Sequence, residues 1–165
     1  LLNDDQRYIE TYWSKFENIW FHGDYVLKDE DNLWYMQGRT DDVINVSGHR
    51  MSTAEIEHTV ISHKKISDAA SIAIPDEITG EAIVVFFVAE NKDDTNLENE
   101  ITEHISKKIG KIAKPRFIIQ LTDLPKTRTG KIMRRLLKSK ILGKPLGDLS
   151  SLENPHILNE IQKIN

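Results

Sequence analysis

The chain of 165 residues contains no cysteine, so disulfide bonds and thiolate metal ligands are excluded. It has no apolar run near the ~20 residues that a membrane-spanning helix requires. Its formal net charge of −4 disfavours a general nucleic-acid or acidic-membrane role. The start at Leu1 has neither a basic signal-peptide head nor an initiator Met. These absences favour a cytoplasmic protein, and we expect the chain to begin inside a longer one.

Aromatic residues are unevenly distributed along the chain. Nine of the twelve lie at or before residue 35: Tyr8, Tyr12, Trp13, Phe16, Trp20, Phe21, Tyr25, Trp34 and Tyr35. So few residues do not easily bury that many rings among themselves, and a concentrated apolar edge is typical of a surface that meets another body. We therefore interpret residues 1–40 as the end of a larger domain. The alternative is a local aromatic core that closes on residues 41–145.

Hydrophobic spacing and turn residues predict a mixed order of helices and strands. The strand at 82–89 is apolar throughout, so we expect it at the centre of a sheet, covered on both faces. Thr53 is the expected cap of a helix. The fold class predicted is α+β: a small three-stranded sheet with flanking helices, preceded by a β-hairpin. Helices are predicted at 4–17, from 53 to about 62–64, and at 97–109, 131–142 and 156–164, and strands at 24–28, 33–37, 43–46, 69–75, 82–89 and 116–121.

A basic loop, PKTRTGKIMRR at residues 125–135, separates a hydrophobic segment from a basic helix. Lys131 follows Gly130 at the point where we expect the loop to become helical, with Thr127 and Thr129 as cap residues. An ammonium group in this position suits an anionic ligand. From the spacing alone, a solvated helix start is the simpler interpretation.

Three further segments accompany this loop: FHGD at 21–24, GRTDD at 38–42, and VSGHR at 46–50 followed by TAEIE at 53–57. In this order and spacing, the four segments resemble the C-terminal part of the adenylate-forming enzymes, the AMP-forming acyl-CoA synthetases. The residues at 45–50 and 125–135 most resemble those of the acetyl-CoA synthetase subgroup. The resemblance covers about residues 20–145, and four motifs in register are far more specific than one.

The resemblance implies a division into the end of an N-terminal adenylation domain (1–40), a mobile C-terminal domain (41–145) and a C-terminal extension (146–165). It implies ATP, CoA and Mg²⁺ as cofactors and a small carboxylate as substrate, joined through an acyl-adenylate by domain rotation. The family places its phosphate loop and acid pocket in the N-terminal domain, which would be the partner of this chain. We therefore expect the chain alone to be inactive, and propionate or a longer acid stays open as the substrate.

The resemblance also implies roles for single residues. Lys131 is similar to the catalytic lysine of adenylation, which a lysine acetyltransferase modifies and a deacetylase restores. Asp24 is similar to the aspartate that binds the ribose hydroxyls, and Arg39 and Arg50 to arginines near the ribose and phosphates. Asp41 is similar to the hinge residue. Without the other motifs, Asp24 and Asp41 would be ordinary turn residues and Arg39 a partner in a surface salt bridge.

Ser47 and Gly48 resemble the segment along which the pantetheine arm of CoA passes, where a larger side chain would block the thiol. A plain turn glycine is the alternative for Gly48. The family arginine for the CoA 3′-phosphate is replaced by Ser106, so we expect its charge from Lys107.

The helix end at residues 61–66 resembles a stretch that binds Mg²⁺ in acetyl-CoA synthetases. The ligands would be the carbonyl oxygens of Ile61 and Ile66, with His63 close by. An ordinary helix C-terminus is the alternative.

The same residues leave two other classes of function open. One is a stand-alone nucleotide- or CoA-binding module without catalysis. The other is a nucleic-acid binder that uses the basic residues of 126–140, which the net charge of −4 and the lack of interleaved aromatics oppose. No nucleic acid and no membrane are therefore expected as partners.

Overall fold

The computed structural model describes residues 4–40, 42–90 and 96–164. Two compact units make up the chain, one within residues 1–41 and the other within residues 42–165. Asp41, the expected hinge, lies outside the described residues. Among the helices of the described part, none is long and apolar enough to cross a bilayer.

The first unit consists of helix α1 (Asp5–Tyr12) and a hairpin of strands β1 (Asp24–Lys28) and β2 (Trp34–Arg39). The predicted hairpin is confirmed, and the Asp29 carboxylate closes its turn by accepting from the Leu33 N–H at 2.9 Å. The strand predicted at 33–37 ends too early, because β2 continues to Arg39, which pairs with Asp24. Helix α1 is shorter than the predicted 4–17.

The first unit exposes large apolar side chains from both its helix and its hairpin. Trp34 and Met36 on β2 are 66% and 65% exposed. The others are Tyr8, Ile9, Trp13, Phe16, Ile19, Trp20, Tyr25, Leu27, Leu33 and Tyr35. Ring contacts such as Tyr12 on Trp20, with centroids 5.7 Å apart, cover only part of this surface. The unit therefore presents a concentrated apolar surface of the kind that marks an interface.

The second unit is built on a sheet of five strands. They are β3 (Val43–Val46), β4 (His49–Ser52), β5 (Ile66–Asp76), β6 (Gly80–Ala89) and β7 (Phe117–Gln120). Strand β6 pairs antiparallel with β5 and parallel with β7, so the prediction of a central strand is confirmed. The three predicted strands are neighbours, and the β3–β4 hairpin extends the sheet through pairing of Val46 with Gly80.

Helices cover both faces of the sheet, which confirms the α+β class. Helices α2 (Thr53–Ile61) and α3 (Leu97–Lys108) pack on one face, and helix α4 (Arg134–Ile141) packs on the other with the 3-10 helix Pro155–Asn159. Adjacent residues of β6 point to opposite faces. Phe87 therefore lies in the core under α2 and α3, Phe86 lies in the core under α4, and both are fully buried.

Three helices begin or end at other residues than the sequence predicted. Ser52, rather than Thr53, caps α2, and its hydroxyl accepts from the Ala54 N–H at 3.2 Å. Helix α4 begins at Arg134 instead of 131, because the Met133 N–H donates to the Pro125 carbonyl and keeps the preceding residues in a hairpin. The helix predicted at 156–164 is a single 3-10 segment ending at Asn159, since Ile164 then pairs with the backbone of Ile141.

Candidate functional site

Lys131 lies at the end of a tight hairpin rather than at a helix start. Lys126 pairs with Ile132 across this hairpin, and the Thr127 N–H donates to the Lys131 carbonyl at 2.9 Å. The Thr127 hydroxyl accepts from the Lys131 N–H at 3.1 Å, so Thr127 supports the hairpin and does not cap a helix. The turn closes at Gly130, whose φ of 82° favours glycine. The backbone of Lys131 is therefore held on both sides.

The side chain of Lys131 is exposed. Within the part of the chain that the structure describes, no hydrogen bond or ion pair engages its ammonium group. A cation on a fixed backbone and without an internal partner is placed to meet an external anion.

Acidic residues hold the base of the same hairpin. The Lys126 ammonium lies 2.8 Å from Asp68 and 3.0 Å from Asp123. The hydrogen bond to Asp68 is the main reason that the pKa of Lys126 is raised. For Asp123, burial acts to raise the pKa, but hydrogen bonds from Lys126 and the Leu124 N–H outweigh it, and the net pKa is lowered. Lys126 is therefore a structural cation, unlike Lys131.

A two-pronged ion pair joins Arg134 to Glu57 of α2. The guanidinium donates twice to the carboxylate, from Nε at 2.9 Å and from Nη2 at 2.6 Å. Glu57 also accepts from the Ser71 N–H at 2.7 Å. The pKa of Arg134 is raised mainly by its hydrogen bonds to Glu57, against the opposing effect of burial. This pair fixes the residue three positions beyond Lys131 to the sheet and to α2.

Ser47 and Gly48 form the two-residue turn between β3 and β4. Their φ values are 49° and 83°, which correspond to a type I′ hairpin turn. A Cβ added at Gly48 would meet no atom within 4 Å. Nothing in the described structure therefore crowds Gly48, and its backbone conformation is the only local reason for glycine.

Arg50 follows this turn on β4, opposite Asn45. Its side chain is exposed. A pocket of about 390 Å³ lies at the other end of the turn, and its lining includes Val46, Thr79, Lys114 and Arg116. The turn is thus flanked by a groove and by basic side chains.

In the first unit, Asp24 and Arg39 face each other across the hairpin. Nη1 of Arg39 lies 3.4 Å from the Asp24 carboxylate and donates to the His22 carbonyl at 3.1 Å. Nδ1 of His22 contacts the same carboxylate. The salt bridge weighed from the sequence for Arg39 is therefore present, and it holds the Asp24 carboxylate in place.

A pocket of about 200 Å³ lies beside this pair. Its lining combines aromatic, polar and basic side chains, namely Thr11, Tyr12, Trp20, Phe21, His22, Gly23 and Arg39. Trp20 stacks on Tyr12 and contacts the His22 ring, which gives the pocket an aromatic wall. Such a wall next to a carboxylate and a guanidinium suits a base and a sugar phosphate.

His63 lies at the far end of α2, next to α3. Its ring is 5.5 Å from that of His104, and its Nε2 is 3.5 Å from Glu100. Nδ1 of His63 is buried without a hydrogen-bond partner. Within residues 4–40, 42–90 and 96–164, no group of three or more acidic, histidine or cysteine side chains could hold a metal ion.

The side chains around His63 therefore do not fit Mg²⁺, which prefers several oxygen ligands. The carbonyl of His63 is engaged by the Ile66 N–H at 3.0 Å. Coordination by the carbonyls of Ile61 and Ile66 stays a prediction.

The residues predicted for the site fall into separate groups. Asp24 and Arg39 belong to the first unit. In the second unit, Gly48 and its neighbours precede α2, whereas Lys107 lies at the end of α3 with its side chain exposed. No contact between described side chains joins Lys131 to the Gly48 turn.

Sequence reasoning missed the Glu57–Arg134 pair. The only available signal was that Glu57 lies among apolar residues of the predicted helix. Its partner, Arg134, lies 77 residues further along the chain, so local spacing does not identify it.

Residues 55–131 match the sequence model of the AMP-binding enzyme C-terminal domain. An acetyl-coenzyme A synthetase from Streptomyces avermitilis is 44% identical to this chain over 162 residues. The alignment covers 96% of this chain and 25% of that synthetase. The chain thus spans about a quarter of the length of the curated relatives it matches.

Solved structures resemble the chain as well. Acetoacetyl-CoA synthetase from Streptomyces lividans superposes with a TM-score of 0.79 at 25% identity, over 95% of this chain and 24% of that one. The anthranilate CoA ligase AuaEII, in complex with anthranoyl-AMP, superposes with a TM-score of 0.67 at 35% identity, over 75% of this chain and 25% of that one. Over residues 55–131, the chain is therefore similar to the AMP-binding enzyme C-terminal domain.

Proposed function

We propose that this chain works as the C-terminal part of an AMP-forming synthetase that joins acetate, or another short-chain acid, to CoA. In the first half-reaction a carboxylate oxygen attacks the α-phosphorus of ATP, and pyrophosphate leaves. In the second, the CoA thiol attacks the acyl carbon of the adenylate, AMP leaves with the bonding electrons, and the thiol proton is lost. Relatives named acetyl-coenzyme A synthetase support this assignment.

The observation that carries the proposal is the state of Lys131. Its backbone is fixed in a hairpin, and its ammonium has no partner among the described residues. In the first half-reaction, negative charge gathers between the carboxylate and the α-phosphate. A preorganised cation stabilises that charge in the transition state without reorganising at the moment of reaction.

The other residues receive roles that follow from their chemistry. The Asp24 carboxylate accepts hydrogen bonds from the ribose hydroxyls, with Arg39 orienting it. Arg50 offers an exposed guanidinium to a phosphate.

Ser47 and Gly48 let the pantetheine arm approach the adenylate, and Lys107 binds the 3′-phosphate. Asp41 absorbs the backbone rotation that exchanges Lys131 for Gly48.

The exposed apolar surface of the first unit supports a partner of matching character. Trp34 and Met36 are two of the twelve large apolar side chains that this unit exposes. Single exposed apolar residues are common on protein surfaces, but a concentration of this kind marks an interface. We assign this surface to contact with the rest of the N-terminal adenylation domain of the same synthetase, which would also supply the phosphate loop and the acid pocket.

The exposed Lys131 is also accessible to a lysine acetyltransferase and a deacetylase. Acetylation would remove its charge and silence the first half-reaction.

ATP–pyrophosphate exchange, measured with acetate and with propionate, tests the proposal. The assay compares the 165-residue chain with the intact protein that carries it. Exchange in the intact protein only, dependent on one of the acids, is the expected result. Exchange by neither sample with any acid, combined with ATP or CoA binding by this chain, would favour a stand-alone binding module.

A further inference from the structure

Asn154 lies in the segment that follows the family match, yet it contacts the loop that leads to Lys131. Its Nδ2 group donates to the Asp123 carboxylate at 2.9 Å and to the Leu124 carbonyl at 2.8 Å. Its Oδ1 atom accepts from the Lys126 N–H at 3.1 Å. The residue is only 9% exposed. Both donors and one acceptor site of the amide are thus used, and each on the base of the hairpin.

The two residues before Asn154 extend this contact through backbone pairing. The Glu153 N–H donates to the Lys126 carbonyl at 2.9 Å, and Leu152 pairs antiparallel with Thr127. On its other side, Thr127 pairs with Lys131. Segment 152–154 therefore lies along one side of Lys126 and Thr127, and the segment of Lys131 lies along the other.

The segment after Asn154 is itself anchored. Ile157, Leu158 and Ile161 are buried at 0%, 4% and 3% exposure in the core under α4. The Glu160 carboxylate accepts from the Thr122 N–H at 2.9 Å. Asn154 therefore couples the hairpin to a fixed part of the fold rather than to a loose tail.

We propose that Asn154 is a positioning residue for Lys131. Its hydrogen bonds hold the base of the 125–133 hairpin, so that the backbone from which the Lys131 ammonium extends keeps one position. This role rests on the function proposed for Lys131. The hairpin contributes few apolar contacts at its tip, and Lys131 itself is exposed. Its place is thus set by backbone hydrogen bonds, and among the described residues the one from Glu153 to Lys126 links the hairpin to a segment outside it.

Two substitutions of Asn154 separate its donors from its size. Asn154→Ala removes all three hydrogen bonds. Asn154→Asp keeps the shape and the acceptor for Lys126, but loses both donors and brings a second carboxylate against Asp123. Asn159→Ala is the matched control, because Asn159 is exposed on the same segment. Ile157→Val trims the core under the segment without touching these hydrogen bonds.

The half-reactions are measured separately in the intact protein. We expect both Asn154 variants to lower the maximal rate of acid-dependent ATP–pyrophosphate exchange by about 10- to 100-fold, since a misplacement near 1 Å costs that much. Thioester formation from supplied acyl-adenylate should change less than about 3-fold, because Lys131 has no part in that step. Both control variants should leave the ratio of the two rates unchanged.

Hydrogen exchange gives a readout that does not depend on the reaction. In both Asn154 variants the amides of Thr127 and Lys131 should exchange faster than in the unsubstituted protein, while those of β6 stay protected. If either Asn154 variant unfolds, the other supplies the result.

The inference is overturned if both half-reactions of a folded Asn154 variant fall equally, or if its hairpin amides exchange as before. Faster exchange of these amides in a protein without any acid-dependent activity would keep the structural link and refute the proposed function instead.

Discussion

Glu57 and Arg134 form a two-pronged ion pair, with Nε–Oε1 and Nη2–Oε2 distances of 2.9 and 2.6 Å, between α2 and the start of α4. Their side chains are 10% and 25% exposed. The same carboxylate holds the Ser71 N–H, so one acid connects a helix, the sheet and the end of the Lys131 hairpin.

Arg134→Ala should lower the free energy of unfolding by about 3 kcal/mol, because it leaves the Glu57 carboxylate buried without its partner. Urea unfolding of this chain is the measurement. Arg128→Ala is the control: this side chain is exposed in the same loop, and its loss should change the free energy by less than about 0.5 kcal/mol. Equal effects of the two substitutions would contradict a special role for the pair.

Lys131→Ala in the intact protein should reduce acid-dependent ATP–pyrophosphate exchange by at least about 100-fold, since a preorganised charge is lost where charge develops. Thioester formation from supplied acyl-adenylate should persist. Lys126→Ala serves as a contrast, because that lysine is bound by Asp68 and Asp123 and should affect stability instead. Equal loss of both half-reactions in Lys131→Ala would refute the assigned role.

Gly48→Leu should have the opposite selectivity, with thioester formation reduced and exchange retained. A Cβ at this position meets no atom within 4 Å, so we expect the main cost to folding to be backbone strain of about 1 kcal/mol at positive φ. Gly48→Asn, which tolerates this conformation better, gauges the strain alone. Separate assays of the two half-reactions give the answer, and normal thioester formation in Gly48→Leu would remove the tunnel interpretation.

The Asp123 carboxylate should make stability depend on pH in the acid range. Its pKa is lowered in the folded chain from the usual 3.8, so the stabilisation is present above about pH 4 and is lost as the pH falls through the lowered folded value. Because the side chain is 46% exposed, the contribution should stay below about 1 kcal/mol.

Thermal unfolding of the unsubstituted chain and of Asp123→Asn, at pH 7 and near pH 3, measures this contribution. The midpoint of the variant should be lower at pH 7, and the two should converge at the acid pH. A difference that is constant with pH would mean that the charge of Asp123 is not what stabilises the hairpin.

Local features of the fold could be predicted from the sequence because they depend on neighbouring residues. The apolar run at 82–89 predicted a central strand. Leu97, Ile101 and Ile105, spaced four residues apart, predicted α3, and these three are its buried residues. Gly48 predicted a turn because positive φ favours glycine. These signals are short in range, and the structure agrees with them.

Predictions that required knowledge of the surroundings were less successful. The threonines at 127 and 129 suit a helix cap, yet Thr127 receives the Lys131 N–H and pairs with Leu152. Hydrogen bonds within the hairpin and to Glu153 engage the backbone of Thr127 and Lys126, so this part of the loop stays extended instead of starting a helix. A local sequence pattern does not reveal this pairing, because segment 152–154 lies more than 20 residues further along the chain.

By itself, the sequence determined the family motifs, the exposed cation at Lys131 and the α+β class. Only the tertiary structure decided that Asp68 and Asp123 bind Lys126, that no described residue binds the Lys131 ammonium, and that Arg134 and Asn154 hold the hairpin from both sides. The physical reason is that ion pairs and buried amides depend on geometry between residues far apart in sequence. Glu57 and Arg134 are 77 positions apart, and Asn154 lies 28 positions beyond Lys126.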